Sequence, residues 1–389
     1  MTELEVALQQ STIRQALAPE LLRERAAGLA RLSDFGPGLA PALSQFQSFF
    51  SGISLTSHGL RRLSGHVLRA LVSHLRLVAE LRRTPELFAG RLNDPLIIVG
   101  QARTGTSYLQ RLLGSLPGNR FLTFWEAREP IPDLEHDDRI ERYEHLAEFI
   151  RQTEPELASK YPIDVKGPEE CMFLTDPSLM SLSFPFMDAP CSDYAGWVVD
   201  DSHHEAYDTY RKLLLYLQAQ APERRFILKS PSHFGQLTEL LRAVPEARLI
   251  HTHRDPVQTL GSICSTQKTV MGPAVAGWTD TLVGRDMLGW FELGTARNAA
   301  QREHLHAGVN IDVQFHDLTR DPLLVVERIY RHFGLEWTPQ VGAALRAELS
   351  RSQPPEVGRH RYSLEEYGLT AGDVAERLIA YRRRWGFAA

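Results

Sequence analysis

The stretch Pro95-Leu-Ile-Ile-Val-Gly100-Gln-Ala-Arg103-Thr-Gly105-Thr-Ser107 decides the fold. Its short unbroken apolar run reads as a strand buried on both faces. Gly100 closes that run, and the stripe Leu109, Leu112, Leu113 and Leu116 starts a helix directly after the loop. A strand, a glycine-bounded loop and a helix N-terminus turn successive backbone N–H groups toward one anion, the arrangement that holds phosphate. The spacing matches GxxxxGK(S/T), except that Thr106 stands at the lysine position. In nucleotide triphosphatases that lysine neutralises the terminal phosphates, so a loop lacking it suits a different, shorter anion. The positive charge sits inside the loop instead, at Arg103. The plain alternative is a strand–turn–helix with incidental glycines.

Outward from this loop, apolar runs recur at residues 226–228, 248–250 and 309–315. Helical patterns separate them: Tyr207, Tyr210, Leu214 and Leu217, then Phe234, Leu237 and Leu241. This alternation predicts an α/β fold, a P-loop-type parallel sheet flanked by helices on both faces. Residues 1–90 show only helical periodicity. Leu60, Leu63, Val67, Leu71, Leu75 and Val78 form one stripe that Thr56 or Ser57 can cap. The chain therefore divides into an N-terminal helical region, 1–90, and an α/β domain, 91–389. The first reads as a helical cap or a dimerisation layer, which leaves a homo-oligomer open. Residues 153–200 are rich in proline and aromatics. Within them, the stretch from Leu182 through Met187 to Tyr194 and Trp197, with part of the N-terminal helices, is expected to line a pocket.

At 389 residues the chain exceeds the roughly 250–300 at which single cores stop growing. One large α/β core with an appended helical layer, or two tightly packed domains, follows. Apolar residues at 43% and charged residues at 23% exclude a disordered or fibrous chain. A net charge of −5 without a basic block argues against sequence-independent nucleic-acid binding. The basic residues are 38 arginines and five lysines, and of the lysines only Lys229 falls on a motif. The N-terminus MTELEVALQQ has no signal-peptide pattern, and no apolar run reaches the ~18 residues needed for a membrane span. Cys171, Cys191 and Cys264 form no CxxC pair, so reduced thiols in a cytoplasmic protein are expected.

Further along, Leu249-Ile-His-Thr-His253 reads as a strand ending in Arg254-Asp255-Pro256. Ser262 lies eight residues after Arg254, roughly two helical turns, so the two can approach one phosphate from two sides. Phe226-Ile-Leu-Lys229-Ser-Pro-Ser-His233 sets a lysine at another strand end. In this order the pieces resemble the PAPS-dependent sulfotransferases (PAPS is 3′-phosphoadenosine 5′-phosphosulfate), in their bacterial-type branch. The Arg103-Thr-Gly-Thr-Ser107 loop is similar to that family's 5′-phosphosulfate loop. Arg254-Asp-Pro with Ser262 is similar to its 3′-phosphate motif, and the Lys229 segment to the strand-end lysine between them. Phe124-Trp-Glu126-Ala-Arg128, Gly167-Pro-Glu-Glu170, His316-Asp-Leu-Thr-Arg-Asp-Pro322 and Gly358-Arg-His-Arg-Tyr362 extend the resemblance over roughly residues 90–389. There are two departures. The cytosolic animal branch has a lysine where this chain has Arg103, and an Arg-Lys-Gly segment where this chain offers Gly358-Arg359-His360.

The resemblance implies sulfuryl transfer from PAPS to a hydroxyl of a small apolar molecule or lipid. Adenosine 3′,5′-bisphosphate would be the product, and no metal would be required. It assigns donor binding to Arg103, Thr104, Gly105, Thr106, Ser107, Tyr108, Arg254, Ser262 and Arg359. Phe315 would stack on adenine or serve as an ordinary core residue. Lys229 would support the leaving group, with Arg103 also acting on the transferring group. For the general base the family offers Glu126, at the family's interval after the loop helix, with His233 as its rival. If not the base, Glu126 is expected to be a buried partner of Arg128. Glu169 and Glu170 either line the acceptor site or begin a helix after Pro168. His251 and His253 share one sheet face without an apparent third metal ligand and read as core histidines. Two readings from other classes stay open: a P-loop nucleotide kinase with a displaced basic residue, and an inactive nucleotide-binding interaction protein.

Overall fold

The computed structural model describes residues 12–13, 15–133, 135–200, 203–351 and 362–387. Its strands are β1 (Leu96–Gly100), β2 (Asn119–Phe121), β3 (Arg225–Lys229), β4 (Arg248–His253) and β5 (Asn310–Gln314). They form one sheet in the order β2-β3-β1-β4-β5, with every pairing parallel. The expected α/β architecture is the one found. β1 lies at the centre and is buried at all five positions, which is why its sequence is uniformly apolar rather than alternating. β5 is an edge strand and alternates buried with half-buried residues. The run at 309–315 ends earlier than its hydrophobicity suggests, because Phe315 already opens the helix Phe315–Arg320.

Successive residues of β1 turn to opposite faces. Leu96 and Ile98 pack with Leu109, Leu112, Val326 and Ile329 beneath one face. Ile97 and Val99 join Leu63, Phe173, Leu213 and Leu237 on the other. This second core runs without a break from Leu22, Phe46 and Leu75 of the N-terminal helices into the sheet. The 27-residue helix Ser57–Arg83 buries Leu63, Val67, Leu71 and Leu75, as its periodicity predicts. Thr56 caps it, accepting from the Gly59 amide at 3.0 Å. The same hydroxyl donates to the Pro273 carbonyl at 2.8 Å and so fastens the helix start to the α/β part. Gly59 is needed at this joint, because a Cβ there would lie 2.1 Å from the Ala274 carbonyl oxygen.

The helix Ser57–Arg83 also carries a buried charge network. His66 Nδ1 lies 2.6 Å from Asp188 and Nε2 lies 2.7 Å from Asp176. Burial disfavours the imidazolium, but the carboxylates of Asp188 and Asp176 outweigh it and hold the His66 pKa above its ordinary value. Burial likewise opposes ionisation of Asp188, yet the His66 charge holds that carboxyl below its usual range. The sign for His66 follows from the raised folded pKa. Its stabilisation is complete below the unfolded value of about 6.5 and is lost as pH rises through the folded value. His66→Asn is expected to lower stability by about 3–5 kcal/mol near pH 6. In urea unfolding that deficit should shrink toward pH 9; a deficit independent of pH would contradict the ion-pair account.

β1 is flanked by β3 on one side and β4 on the other, so the chain reverses direction across the sheet at β1. In open parallel sheets the ligand crevice forms beyond the carboxyl ends of the strands at such a reversal. Here those ends are Gly100, Lys229 and His253. Gly100 is fixed by proximity, since a Cβ would meet the Thr252 hydroxyl of β4 at 2.1 Å.

Candidate active site

The loop after β1 folds back through two left-handed residues, Arg103 at φ 66° and Gly105 at φ 86°. Gly105 is required twice over, because a Cβ would also press on Phe315 and Leu318 at 3.0 Å. Thr104 holds the loop from within. It is buried, donates to the Gln101 carbonyl at 2.7 Å and lies 2.6 Å from the Thr252 hydroxyl of β4. The helix Thr106–Gly114 starts immediately afterwards, and Thr106 and Ser107 line the adjoining cavity. Tyr108 faces elsewhere: its ring packs with Leu109 and Leu112 in the core beneath the opposite sheet face.

Arg254 follows the end of β4. Its Nη1 donates to the Arg103 carbonyl at 3.1 Å, and its guanidinium lies 4.1 Å from the centre of the Phe315 ring. Burial first, and then the charge of Arg103, lower the Arg254 pKa. Two cations thus adjoin each other, and no ion pair joins either to a carboxylate among the described residues. The buried Nε of Arg254 and Oγ of Ser262 both lack a hydrogen-bond partner. Between them Asp255 caps the helix Pro256–Met271 and forms a two-pronged pair with Arg382, each contact 3.0 Å. Phe315 is buried, and Arg254 covers one face of its ring. Arg359, the expected third contact, lies outside the described residues. Tyr362 reaches this helix, with its carbonyl 3.1 Å from where a Cβ on Gly261 would sit.

A cavity of about 380 Å³ opens beside the loop. Gln101, Arg103, Thr106 and Ser107 form one wall, and Lys229 and Ser232 close the end of β3. Lys229 has 6% of its side chain exposed and binds Glu170 through Nζ at 2.7 Å. Glu170 arrives there because residues 122–124 run beside 167–169: Phe124 donates to the Gly167 carbonyl and Glu169 to the Leu122 carbonyl. Glu169 is occupied, accepting from the Tyr161 hydroxyl at 3.0 Å and from the Glu170 amide at 2.7 Å. Both glutamates line this cavity, and they open no helix after Pro168, since the 3₁₀ turn begins only at Cys171.

Neither sequence-based candidate for the base reaches the cavity wall. Glu126 is buried in a capping box. One oxygen accepts from the Thr123 amide and hydroxyl at 2.9 and 2.7 Å, and the other pairs with Arg120. Its partner is Arg120 and not Arg128, which approaches Glu169. His233 is fully buried, with Nδ1 2.8 Å from the Tyr207 hydroxyl and Nε2 3.2 Å from Cys171 Sγ. Burial drives its pKa down to about 3, so it stays neutral at ordinary pH. His251 and His253 are core residues, as expected. Both are fully buried, and His253 lies between Tyr381 at 3.0 Å and Asp312 at 2.8 Å.

The apolar side of the cavity differs in part from the lining expected of the aromatic stretch. Phe186 and Met187 of the aromatic stretch line it, but Tyr194 and Trp197 turn to Phe49. No residue of 1–90 reaches it among the described residues; Ile263, Val270, Met287 and Trp290 of two long helices form that wall. Lys160 also lines it, held by Ser265 at 3.0 Å and Thr269 at 2.7 Å. In sequence it looks like half of a surface pair with Glu156, and only the fold brings it inward.

The pattern of the sulfotransferase family matches residues 95–339. Omega-hydroxy-beta-dihydromenaquinone-9 sulfotransferases Stf3 of Mycobacterium bovis and Mycobacterium tuberculosis are 24% identical over 257 residues. That region is 62% of this chain and 63% of theirs, so the chain matches less than two thirds of these relatives' length. The crystal structure of sulfotransferase STF1 from Mycobacterium tuberculosis superposes with a TM-score of 0.79 at 28% identity, covering 93% of this chain and 98% of that one. That of STF9 from Mycobacterium avium gives 0.81 at 27% identity, covering 94% and 96%.

Proposed function

The chain belongs to the sulfotransferase family, and on that premise we propose that it moves the sulfuryl group of PAPS to the hydroxyl of an apolar acceptor. The observation that carries this reading is the adjoining pair Arg103 and Arg254, with Arg254 Nε and Ser262 Oγ buried and unpartnered. Buried polar groups are normally satisfied, so two orphans beside two cations suit a bound anion. The residues present therefore fit a nucleotide with phosphate at both ends of its ribose. Arg103 and the amides at 105–107 would hold the 5′ group, and Arg254 with Ser262 the 3′-phosphate. When bound, PAPS supplies the sulfuryl group and leaves as adenosine 3′,5′-bisphosphate.

The protein's part is positioning and charge compensation. The forked Arg103 guanidinium binds oxyanions in two-pronged fashion and stays charged. Lys229 carries its ammonium at the end of β3, where a leaving oxygen gains charge. Once Lys229 turns to that oxygen, the Glu170 carboxylate is free to take the proton of the acceptor hydroxyl. The apolar wall keeps water from competing as acceptor. That wall and the omega-hydroxy-beta-dihydromenaquinone-9 of the Stf3 relatives support an apolar alcohol or lipid as acceptor. A kinase reading meets Thr106 where the terminal phosphates need lysine. Among the described residues no helix is long and apolar enough to cross a membrane. The three free cysteines suit the cytoplasm as the compartment.

The test is calorimetric titration with adenosine 3′,5′-bisphosphate. Binding is expected, and Arg254→Ala should weaken it by about 10- to 100-fold, the worth of one charge-assisted hydrogen bond. Equal affinity for adenosine 5′-monophosphate would overturn the 3′-phosphate assignment.

A further inference from the structure

The reaction cavity does not end at its apolar wall. A second hollow of about 500 Å³ adjoins it and shares Phe186, Met287 and Trp290 with it. The Phe186 and Trp290 rings meet edge to face, centroids 4.9 Å apart, and form the sill between the two. Beyond the sill the walls are chiefly hydrocarbon, from Ile53, Pro185, Val275 and Leu282. The charged side chains at its rim satisfy each other: Asp286 pairs with Arg285 at 3.0 Å and accepts from Trp278 Nε1 at 3.0 Å. Leu293, 39% exposed, continues the apolar surface outward.

Two glycines set the width of this groove. Gly289 lies inside the helix Asp280–Arg302 and Gly196 inside the helix Ser192–Val198. A Cβ on either would meet nothing within 4 Å. Glycine inside a helix costs about 0.5–1 kcal/mol relative to alanine. Nothing in the packing at these two positions requires it, and what its absence of side chain leaves is open groove.

We propose that this groove holds the hydrocarbon tail of the acceptor: a long-chain alcohol whose hydroxyl end sits by Lys229 and Glu170 while its chain crosses the Phe186–Trp290 sill. The inference rests on the sulfuryl-transfer reading for the position of the hydroxyl. The groove itself rests on the wall residues it shares with the cavity and on its apolar lining. Phe186 and Trp290 are then residues that set chain-length specificity.

The test uses n-alkanols from hexanol to dodecanol as acceptors with labelled PAPS. The kcat/KM is expected to rise about fourfold per methylene, the worth of burying each one, until the groove is full. Gly289→Leu fills the groove from a position outside the reaction cavity, and should cut the dodecanol-to-hexanol ratio of kcat/KM at least tenfold. Gly196→Leu, on a separate helix, should do the same and decides the matter if the first variant fails to fold. A second readout needs no turnover: dodecanol should perturb the tryptophan fluorescence of the wild type and do so more weakly in either variant. If hexanol and dodecanol are sulfated alike and neither glycine matters to rate or binding, the groove proposal falls and sulfuryl transfer stands. If no alkanol is sulfated but dodecanol binds in a glycine-dependent way, the groove stands and the transfer reading falls.

Discussion

Lys229→Ala is expected to lower kcat by about 10²–10³-fold, the usual loss when one preorganised donor to a developing charge is removed. The size follows from where the ammonium sits. It is buried at the end of β3, with 6% of its side chain exposed, and its partner is Glu170 at 2.7 Å. In so dry a place water does not replace it. Lys229→Arg is not a mild change there, because the guanidinium is planar and larger than the site built around a point charge. Under the proposed donor contacts Arg103, Arg254 and Ser262 are untouched, so KM for PAPS should move far less than kcat. Steady-state kinetics on both variants separate the two; a kcat within threefold of wild type would exclude Lys229 from the transfer step. Thermal unfolding is the control, since Glu170 is left without its cation.

Glu170→Gln should cost about 10²–10⁴-fold in kcat, the range spanned by general-base catalysis. Glu126→Gln is expected to behave quite differently. Its carboxylate closes the capping box of the helix Phe124–Arg128, so the loss is of stability, about 0.5–2 kcal/mol, with turnover largely retained. His233→Asn likewise probes packing around Tyr207 and Cys171 rather than proton transfer. If Glu126→Gln abolished turnover in a protein that unfolds normally while Glu170→Gln did not, the roles of the two glutamates would be reversed.

The loop after β1 and the turn at Arg254 are legible in the sequence because their information is local. A buried strand, two left-handed loop residues and a helix start occupy consecutive positions, and Arg254-Asp-Pro repeats the strand-to-helix transition one strand over. β2 is not legible: it is three residues, Asn-Arg-Phe, held by pairing with β3 and not by any apolar pattern of its own. Glu126 carries a local signal that competes with the expectation of a base. Thr123-Phe-Trp-Glu126 fits the capping-box spacing, which accounts for the carboxylate without chemistry. His233 stands only four residues after Lys229, but the 3₁₀ turn Pro231–Gly235 carries it away from the cavity and into the core. Of the apolar wall of the cavity, Phe186 and Met187 are legible in the aromatic stretch, but the rest has no sequence signature. It comes from helices that approach the loop only through tertiary packing, and Met287 and Trp290 look in sequence like any other apolar face.

The most direct measurement is the fate of sulfur-labelled PAPS incubated with the wild-type protein, dodecanol and a metal chelator. Label should appear in the dodecyl sulfate ester in step with adenosine 3′,5′-bisphosphate, and Lys229→Ala should slow both together. Transfer that required magnesium, or that ATP supported in place of PAPS, would contradict the PAPS reading.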